Sequence, residues 1–271
     1  MNNLFMEPNP GDSDLNDSYK RQLAKSFSRA ALTYDHYSLF QQQVLMNLIS
    51  KVPEKHYQCA MDLGCGTGNA LLPLSVISNT LIGLDLSVEM LKKAQDKIPN
   101  SHFVCADAEQ MPFAKNYFDL IFSSLAIQWC LSHYDLFKEV YRVMNDGGYW
   151  CFSTLCEGSM PEIGESWSKV DGRLHSNQYP SLEKILSDLE VSGFCIESQE
   201  IKVIKMHFDS VQNAVYSVKK VGASVIANLG DRARVTPSTW RTFVNQYNEL
   251  HDGIGVPLSY QVAFIVAKKV L

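Results

Sequence analysis

Ala60-Met61-Asp62-Leu63-Gly64-Cys65-Gly66-Thr67-Gly68-Asn69 is the stretch from which the rest of the chain can be read. An apolar approach, Cys59 to Leu63, runs into glycines on alternate positions, and an amphipathic segment follows. That order predicts a buried strand, a tight turn and the opening of a helix. Glycines let the backbone come against a ligand and expose its N–H groups where the helix dipole also points. The dinucleotide pattern G-x-G-x-x-G fails here, because the sixth place counted from Gly64 is Asn69.

Asp62 stands two residues before the first glycine, and Asp62 followed by G-x-G-x-G resembles the first motif of class I S-adenosylmethionine (SAM) methyltransferases. The downstream strands extend the resemblance. Leu81 to Leu84 is a second strand ending in Asp85, and an acid at a strand's carboxyl end can accept both ribose hydroxyls. A lone Asp could equally cap a helix, but Asp85-Leu86-Ser87 supplies Ser87 for that task. A third strand, His102 to Ala106, ends in Asp107-Ala108, where an acid commonly accepts from an adenine amino group beside an apolar slot, unless Asp107 is simply a loop carboxylate. The fourth, Phe118 to Phe122, leads through Ser123 to Gln128 and Trp129, which point at a reacting centre unless Trp129 is simply core.

A helix (Tyr134 to Met144) and the turn Asp146-Gly147-Gly148 feed a fifth strand, Tyr149 to Leu155. Strands alternating with helices at this pitch mean a doubly wound sheet. With Cys195 to Phe208 and Ser259 to Val270 added, the expected fold is α/β: a mostly parallel, seven-stranded, Rossmann-like sheet with helical lid insertions. Residues 1–17 are acidic and without a basic residue, an expected disordered tail. Residues 18–271 are then one domain, with helices over 18–52 that either simply cover the sheet or lid the cofactor with Arg29 and Tyr34 facing it, and insertions at 157–180 and 209–253 that close over the site.

Composition narrows the function. No run of about 18 apolar residues is present, so no membrane span is expected. The N-terminus has neither a basic n-region nor an apolar h-region, so no export signal is expected. Seven cysteines form no C-x-x-C pair and seven histidines no H-x-x-x-H, which points to a reduced, cytoplasmic protein without a metal site. The net charge of −5 argues against general nucleic-acid binding. Its distribution is uneven, however: Ile201 to Arg241 carries +5 and the remainder −10.

Methyl transfer from a sulfonium is an in-line displacement that asks a protein for alignment more than for chemistry. Amine and phenol acceptors want a base, and no strand-end motif offers an obvious Glu/His pair. A carboxylate acceptor is already ionised at neutral pH and needs none. Arg173 and His175 are candidates to orient it, or else a surface helix end; Trp129, Tyr34, Trp167 and Tyr179 would supply a dry aromatic enclosure.

More specific stretches are Phe27-Ser28-Arg29-Ala30-Ala31-Leu32-Thr33-Tyr34, Leu125 to Cys130, Phe152 to Leu155, Gly158 to Glu162, Trp167 through His175-Ser176-Asn177, and Lys219-Lys220-Val221-Gly222-Ala223. Over about residues 20 to 268 these resemble the malonyl-(acyl carrier protein) O-methyltransferases of biotin synthesis. The resemblance implies methyl transfer from SAM to the free carboxylate of malonyl-acyl carrier protein (or malonyl-coenzyme A), giving an ester that enters pimeloyl synthesis. The alternatives are another small-molecule methyltransferase of this fold, such as a quinone C-methylase or a different carboxyl methylase, and a SAM-binding module without catalysis. It implies cofactor contacts from Arg29, Tyr34, Asp62, Gly64, Cys65, Gly66, Gly68, Asp85, Leu86, Asp107, Ala108 and Ser123. It implies acceptor contacts from Tyr34, Gln128, Trp129, Arg173, His175 and Asn177. Carrier proteins are acidic, and Lys219, Lys220, Arg232 and Arg234 are the expected docking surface, against the alternative of a solvated helix face.

Overall fold

The computed structural model describes residues 10–172, 175, 177–223 and 235–270, with side chains from Asn16 onward. In chain order the first half forms α1 (Pro10–Ala30), α2 (Tyr34–Tyr37), α3 (Leu39–Ile49), β1 (Tyr57–Leu63), α4 (Leu71–Val76), β2 (Ser78–Asp85), α5 (Val88–Lys97) and β3 (His102–Cys105). Then come β4 (Phe118–Ser124), a short 3₁₀ turn (Ile127–Trp129), α6 (His133–Val143) and β5 (Met144–Leu155). The last part is α7 (Pro161–Asp171), α8 (Leu182–Val191), β6 (Phe194–Phe208), α9 (Val211–Lys220), α10 (Pro237–Asn248) and β7 (Val256–Lys269).

The strands make one seven-stranded sheet in the order β3-β2-β1-β4-β5-β7-β6. β1 to β5 run parallel, and β7 enters antiparallel between β5 and β6, pairing Phe152 with Ile265. Parallel strands are covered on both faces and read as continuous apolar runs, as Ile121-Phe122 and Cys151-Phe152 do. Two core clusters result, one on each face. Phe40, Val44, Leu48 and Phe243 belong to the first, and Phe137, Val140, Ile185 and Trp150 to the second. The chain turns back at β1, whose neighbours are β2 and β4, so the crevice of a doubly wound sheet opens at the carboxyl ends of those strands.

Two expectations change. α1 begins at Pro10, inside the stretch expected to be a disordered tail. Buried Tyr19 and Leu23 anchor its middle, and once a helix is nucleated each added residue costs little. β5 begins at Met144 and takes in Asp146-Gly147-Gly148, expected as a turn; a register irregularity between Phe118 and Leu120 on β4 absorbs those residues. The two insertions meet where Trp167 of α7 stacks on Phe243 of α10, centroids 4.4 Å apart. Among the described residues no helix is long and apolar enough to cross a membrane.

Candidate functional site

Backbone geometry builds the donor side. The N–H groups of Gly64 and Cys65 both donate to Leu84 O, at 2.8 and 3.0 Å, tying the turn to the end of β2. Gly64 has φ +73°, and a Cβ there would sit 2.3 Å from Ala126 Cβ, so only glycine fits. Asp85 closes the arrangement: its Oδ2 accepts from Gly66 N–H at 2.9 Å and its Oδ1 from Ser87 N–H at 2.8 Å. Burial pushes the Asp85 carboxyl up, and these backbone donors offset only part of the rise. Each oxygen keeps a lone pair for a hydroxyl. Ser87 caps α5, accepting from Met90 N–H, so the capping task and the acid are separate, as expected.

A cleft of about 840 Å³, partly open to solvent, runs along this edge. Gly64, Gly66, Asp85, Leu86, Asp107, Ala108, Trp129 and Tyr34 all line it, which brings together most of the cofactor residues named above. The floor between Leu86, Met90 and Ala108 is an apolar slot of the kind a flat ring fills.

Five of those expected contacts lie outside this cleft, Asp62 and Cys65 in a smaller pocket that adjoins it and Arg29, Ser123 and Gly68 elsewhere. Arg29 is exposed on the outer face of α1, because Lys20, Leu23, Ala24 and Phe27 occupy the helical phase that faces the cleft. Ser123 is buried and donates to Leu63 O at 2.9 Å; its successor Ser124 faces the cleft, as strand alternation requires. Gly68 serves packing, since a Cβ there would meet Ala94 of α5 at 2.9 Å. Cys65 turns into a smaller pocket, and burial holds its thiol well above the usual range. Asp107 lines the cleft but is already engaged: Lys20 Nζ lies 2.5 Å from its Oδ2 and 2.6 Å from Glu109 Oε2. Lys20 was not foreseen, although it falls in phase with Leu23 and Phe27, the apolar stripe that announces the lid.

The smaller pocket, about 410 Å³, lies behind the glycine turn and contains Asp62, which is 2 % exposed. Burial, and then the Asp85 charge, push the Asp62 carboxyl up to about 8. Its Oδ2 is buried and has no hydrogen-bond partner. Asp35 ties α2 to the turn, accepting from Thr67 Oγ1 (2.6 Å) and Asn69 Nδ2 (3.1 Å) and pairing with Lys97 at 2.7 Å. Asn69, the residue that breaks the dinucleotide pattern, therefore has a positive use. An orphaned acceptor for an ammonium in the smaller pocket, and then, in the cleft that adjoins it at Tyr34, Gly64 and Gly66, an acid for vicinal hydroxyls and an apolar ring slot, fit an adenosyl amino acid such as SAM.

A second chamber, about 900 Å³, adjoins the cleft and shares Phe27, Tyr34, Leu125 and Trp129 with it. Phe40 stacks on Tyr260 at 3.8 Å in its wall, and Phe27 meets Trp129 edge-on at 5.6 Å. Leu125 holds φ +52°, rare for a branched side chain, and Ser153 fixes it by accepting Leu125 N–H on both O and Oγ. Gln128 lines the chamber but its amide is committed: Nε2 donates to Leu125 O at 2.8 Å, and Oε1 faces Thr154 Oγ1 at 3.5 Å. Burial pushes the Tyr34, Tyr179 and Tyr260 phenols up, so all three stay protonated donors. Among the described residues that line this chamber there is no Asp, Glu, Lys or Arg.

The expected acceptor contacts divide. Tyr34, Gln128, Trp129 and Tyr179 line the chamber. His175 does not: it stacks on Trp167 at 4.0 Å and pairs with Asp171 at 2.9 Å, because α7 presents that face to α10. Trp167 thereby belongs to the lid's own core, not to the enclosure. Asn177 lies outside the lining and hydrogen-bonds Tyr179. Arg173 lies outside the described residues, as do Arg232 and Arg234. Lys219 is exposed at the end of α9, while Lys220 sits over the rings of Tyr216 (4.8 Å) and Tyr37 (5.6 Å). The same helix walls the chamber through Ser217, Val218 and Val221. Its end closes against α1, where Ser26 Oγ donates to Gly222 O at 3.0 Å.

Comparison with known proteins agrees with this geometry. A family described as a methyltransferase domain matches residues 61–152. The malonyl-(acyl carrier protein) O-methyltransferase of Marinomonas sp. strain MWYL1 is 48% identical over 93% of this chain and 95% of its own length. The biotin biosynthesis bifunctional protein BioHC of Saccharophagus degradans is 32% identical over 93% of this chain and 47% of that longer protein. A crystal structure from Bacillus halodurans C-125 superimposes with TM-score 0.63 at 18% identity, covering 84% of this chain and all (100%) of that one, a likeness of fold.

Proposed function

This chain belongs to the malonyl-(acyl carrier protein) O-methyltransferase family, and on that premise we propose that it methylates the free carboxylate of a malonyl thioester carried by acyl carrier protein. SAM, when bound, supplies a methyl already activated on a sulfonium, so no side chain has to activate it. The chain's own residues do the positioning. Asp85 and the Gly64–Gly66 backbone hold the sugar end and Asp62 the amino-acid end, while Tyr34 and Trp129 form the wall at which the two compartments meet. Holding two reactants in line accounts for roughly 7–11 kcal/mol of a barrier.

The observation that carries the reading is the chamber's lining. It is mainly aromatic and apolar, it abuts the cleft at Phe27, Tyr34, Leu125 and Trp129, and among the described residues it holds no carboxylate; its one imidazole, His36, is exposed and packs edge-on against Tyr37. Such a room suits an acceptor that arrives ionised. Opposite charges are consumed in the transfer, and a water-poor enclosure strengthens their attraction. Esterification masks the malonyl charge, so fatty-acid enzymes can extend the chain towards the pimeloyl precursor of biotin. Exposed Lys219 beside the chamber wall supports docking of an acidic carrier. Free cysteines throughout the described residues support a cytoplasmic location.

The test is incubation with isotopically labelled SAM and, in parallel, malonyl-acyl carrier protein, malonyl-coenzyme A and free malonate, followed by mass measurement of the acyl group. A labelled methyl ester on the malonyl thioester is expected. Transfer to none of the three would overturn the reading.

A further inference from the structure

Gln41 occupies a place that no expectation above assigned. It lines both the pocket that holds Asp62 and the acceptor chamber, a position it shares only with Tyr34 among the described lining residues. α3 is held rigidly there. Phe40, one residue earlier, is stacked on Tyr260, and Val44, Leu45 and Leu48 are buried. Gln41 and Leu45, four residues apart, turn the same helical face towards the pocket.

A census of that pocket's polar groups isolates Gln41. Gln42 Nε2 donates to Asp35 O and Ser38 Oγ, Thr67 and Asn69 both donate to Asp35, and Ser124 Oγ lies 3.3 Å from Ser153 Oγ. Two buried oxygens are left without a partner, Asp62 Oδ2 and Gln41 Oε1. A buried acceptor left unpaired costs free energy until a donor reaches it. Two such acceptors in one pocket match a group with several N–H donors, and an ammonium has three. On the chamber side, an incoming carboxylate meets no Lys or Arg among the described lining residues, and the other amide, Gln128, is already spent. Apart from exposed His36, only neutral donors line it, and a neutral donor weakens the oxygen's nucleophilicity less than an ion pair would.

We infer that Gln41 bridges the two substrates: its Oε1 accepts from the ammonium of the methyl donor, and its Nε2 donates to the acceptor carboxylate. The inference rests on the function proposed above. A planar amide with opposite ends for opposite charges sets the two reactants in register, and it makes each bind better when the other is present.

Two variants separate the halves. Gln41→Met keeps the length and removes both polar ends. It should weaken S-adenosylhomocysteine about tenfold by calorimetric titration and raise KM for malonyl-acyl carrier protein. It should leave methylthioadenosine, which lacks the amino acid, bound as in the wild type. Gln41→Glu keeps the acceptor for the ammonium but turns a negative charge on the carboxylate. It should hold S-adenosylhomocysteine affinity while raising KM about tenfold or more. Unchanged S-adenosylhomocysteine affinity in Gln41→Met, equal loss of methylthioadenosine, or a wild-type KM in Gln41→Glu would each overturn the bridge. Wild-type protein that methylates no malonyl thioester would overturn the proposed function itself, and that result is read before either variant is made.

Discussion

The donor cleft and the acceptor chamber share a wall at Tyr34 and Trp129, yet they are built by opposite means. In the cleft, most polar contacts come from residues at the carboxyl ends of β1 and β2 or in the turns beside them: Gly64, Gly66, Asp85, Ser87. The chamber draws Phe40, Trp129, Tyr179, Met206, Val218 and Tyr260 from segments scattered over more than two hundred residues, and it is closed by ring contacts more than by hydrogen bonds. A site made of backbone groups on a rigid sheet edge admits one ligand geometry. A site made of side chains on lid helices can be re-cut without disturbing the sheet, because its walls are contacts between elements and not within them.

That contrast is broken most severely at the turn. Gly64→Val should abolish S-adenosylhomocysteine binding and lower stability, since the new side chain combines a positive φ with a 2.3 Å approach to Ala126. Gly66→Ala is the control, because φ is +53° there but nothing lies within 4 Å of the added methyl. It should cost only about 1–2 kcal/mol of backbone strain. Equal losses in thermal melts of the two variants would show that crowding against Ala126 is not what makes Gly64 obligatory.

Asp62→Asn should separate binding from stability. Burial and Asp85 raise the Asp62 carboxyl to about 8 in the folded chain from the ordinary 3.8. The native state therefore holds a proton that the unfolded state releases, and this contribution to stability is whole below about pH 4 and fades as pH rises through about 8. The Asn variant does not titrate, so its unfolding free energy should match or trail the wild type's at pH 4 and exceed it near pH 8, by up to a few kcal/mol. Its affinity for S-adenosylhomocysteine should fall about tenfold at and above pH 8, where the wild-type carboxyl is ionised, and less below it. A stability difference that does not change between pH 4 and 8 would sink this account of Asp62.

The smallest effect is expected on the chamber's outer side. Reversing Lys219 and Lys220 to Glu should raise KM for malonyl-acyl carrier protein several-fold at low salt, with the effect shrinking as salt is added, because exposed charges are individually weak and screened. KM for malonyl-coenzyme A should move less. Equal changes for both thioesters would mean that this end of α9 does not meet the carrier.

Legibility followed the same division. The strand–turn–helix at Cys59–Asn69, the acids at Asp85 and Asp107 and the alternation of strands and helices are all local patterns, and the doubly wound, seven-stranded sheet and most cleft residues follow from them. Arg29 and Ser123 were misplaced by one helical phase and one strand position, the kind of error that residue identity cannot correct and geometry can. His175 and Trp167 look like a polar–aromatic site in one dimension. In three they are the seam between α7 and α10, because Phe243, 68 residues beyond His175, stacks on Trp167.

The sequence by itself determined the sheet, the glycine turn and the acids at the strand ends, because backbone sterics and hydrophobic periodicity act over a few residues and leave a mark wherever they act. Only the tertiary structure decided which face of α1 covers the cleft, that Lys20 engages Asp107, and that Gln41, its Oε1 without a partner, lies between two compartments. Those facts depend on contacts between residues far apart in the chain, and no short window of sequence contains both partners.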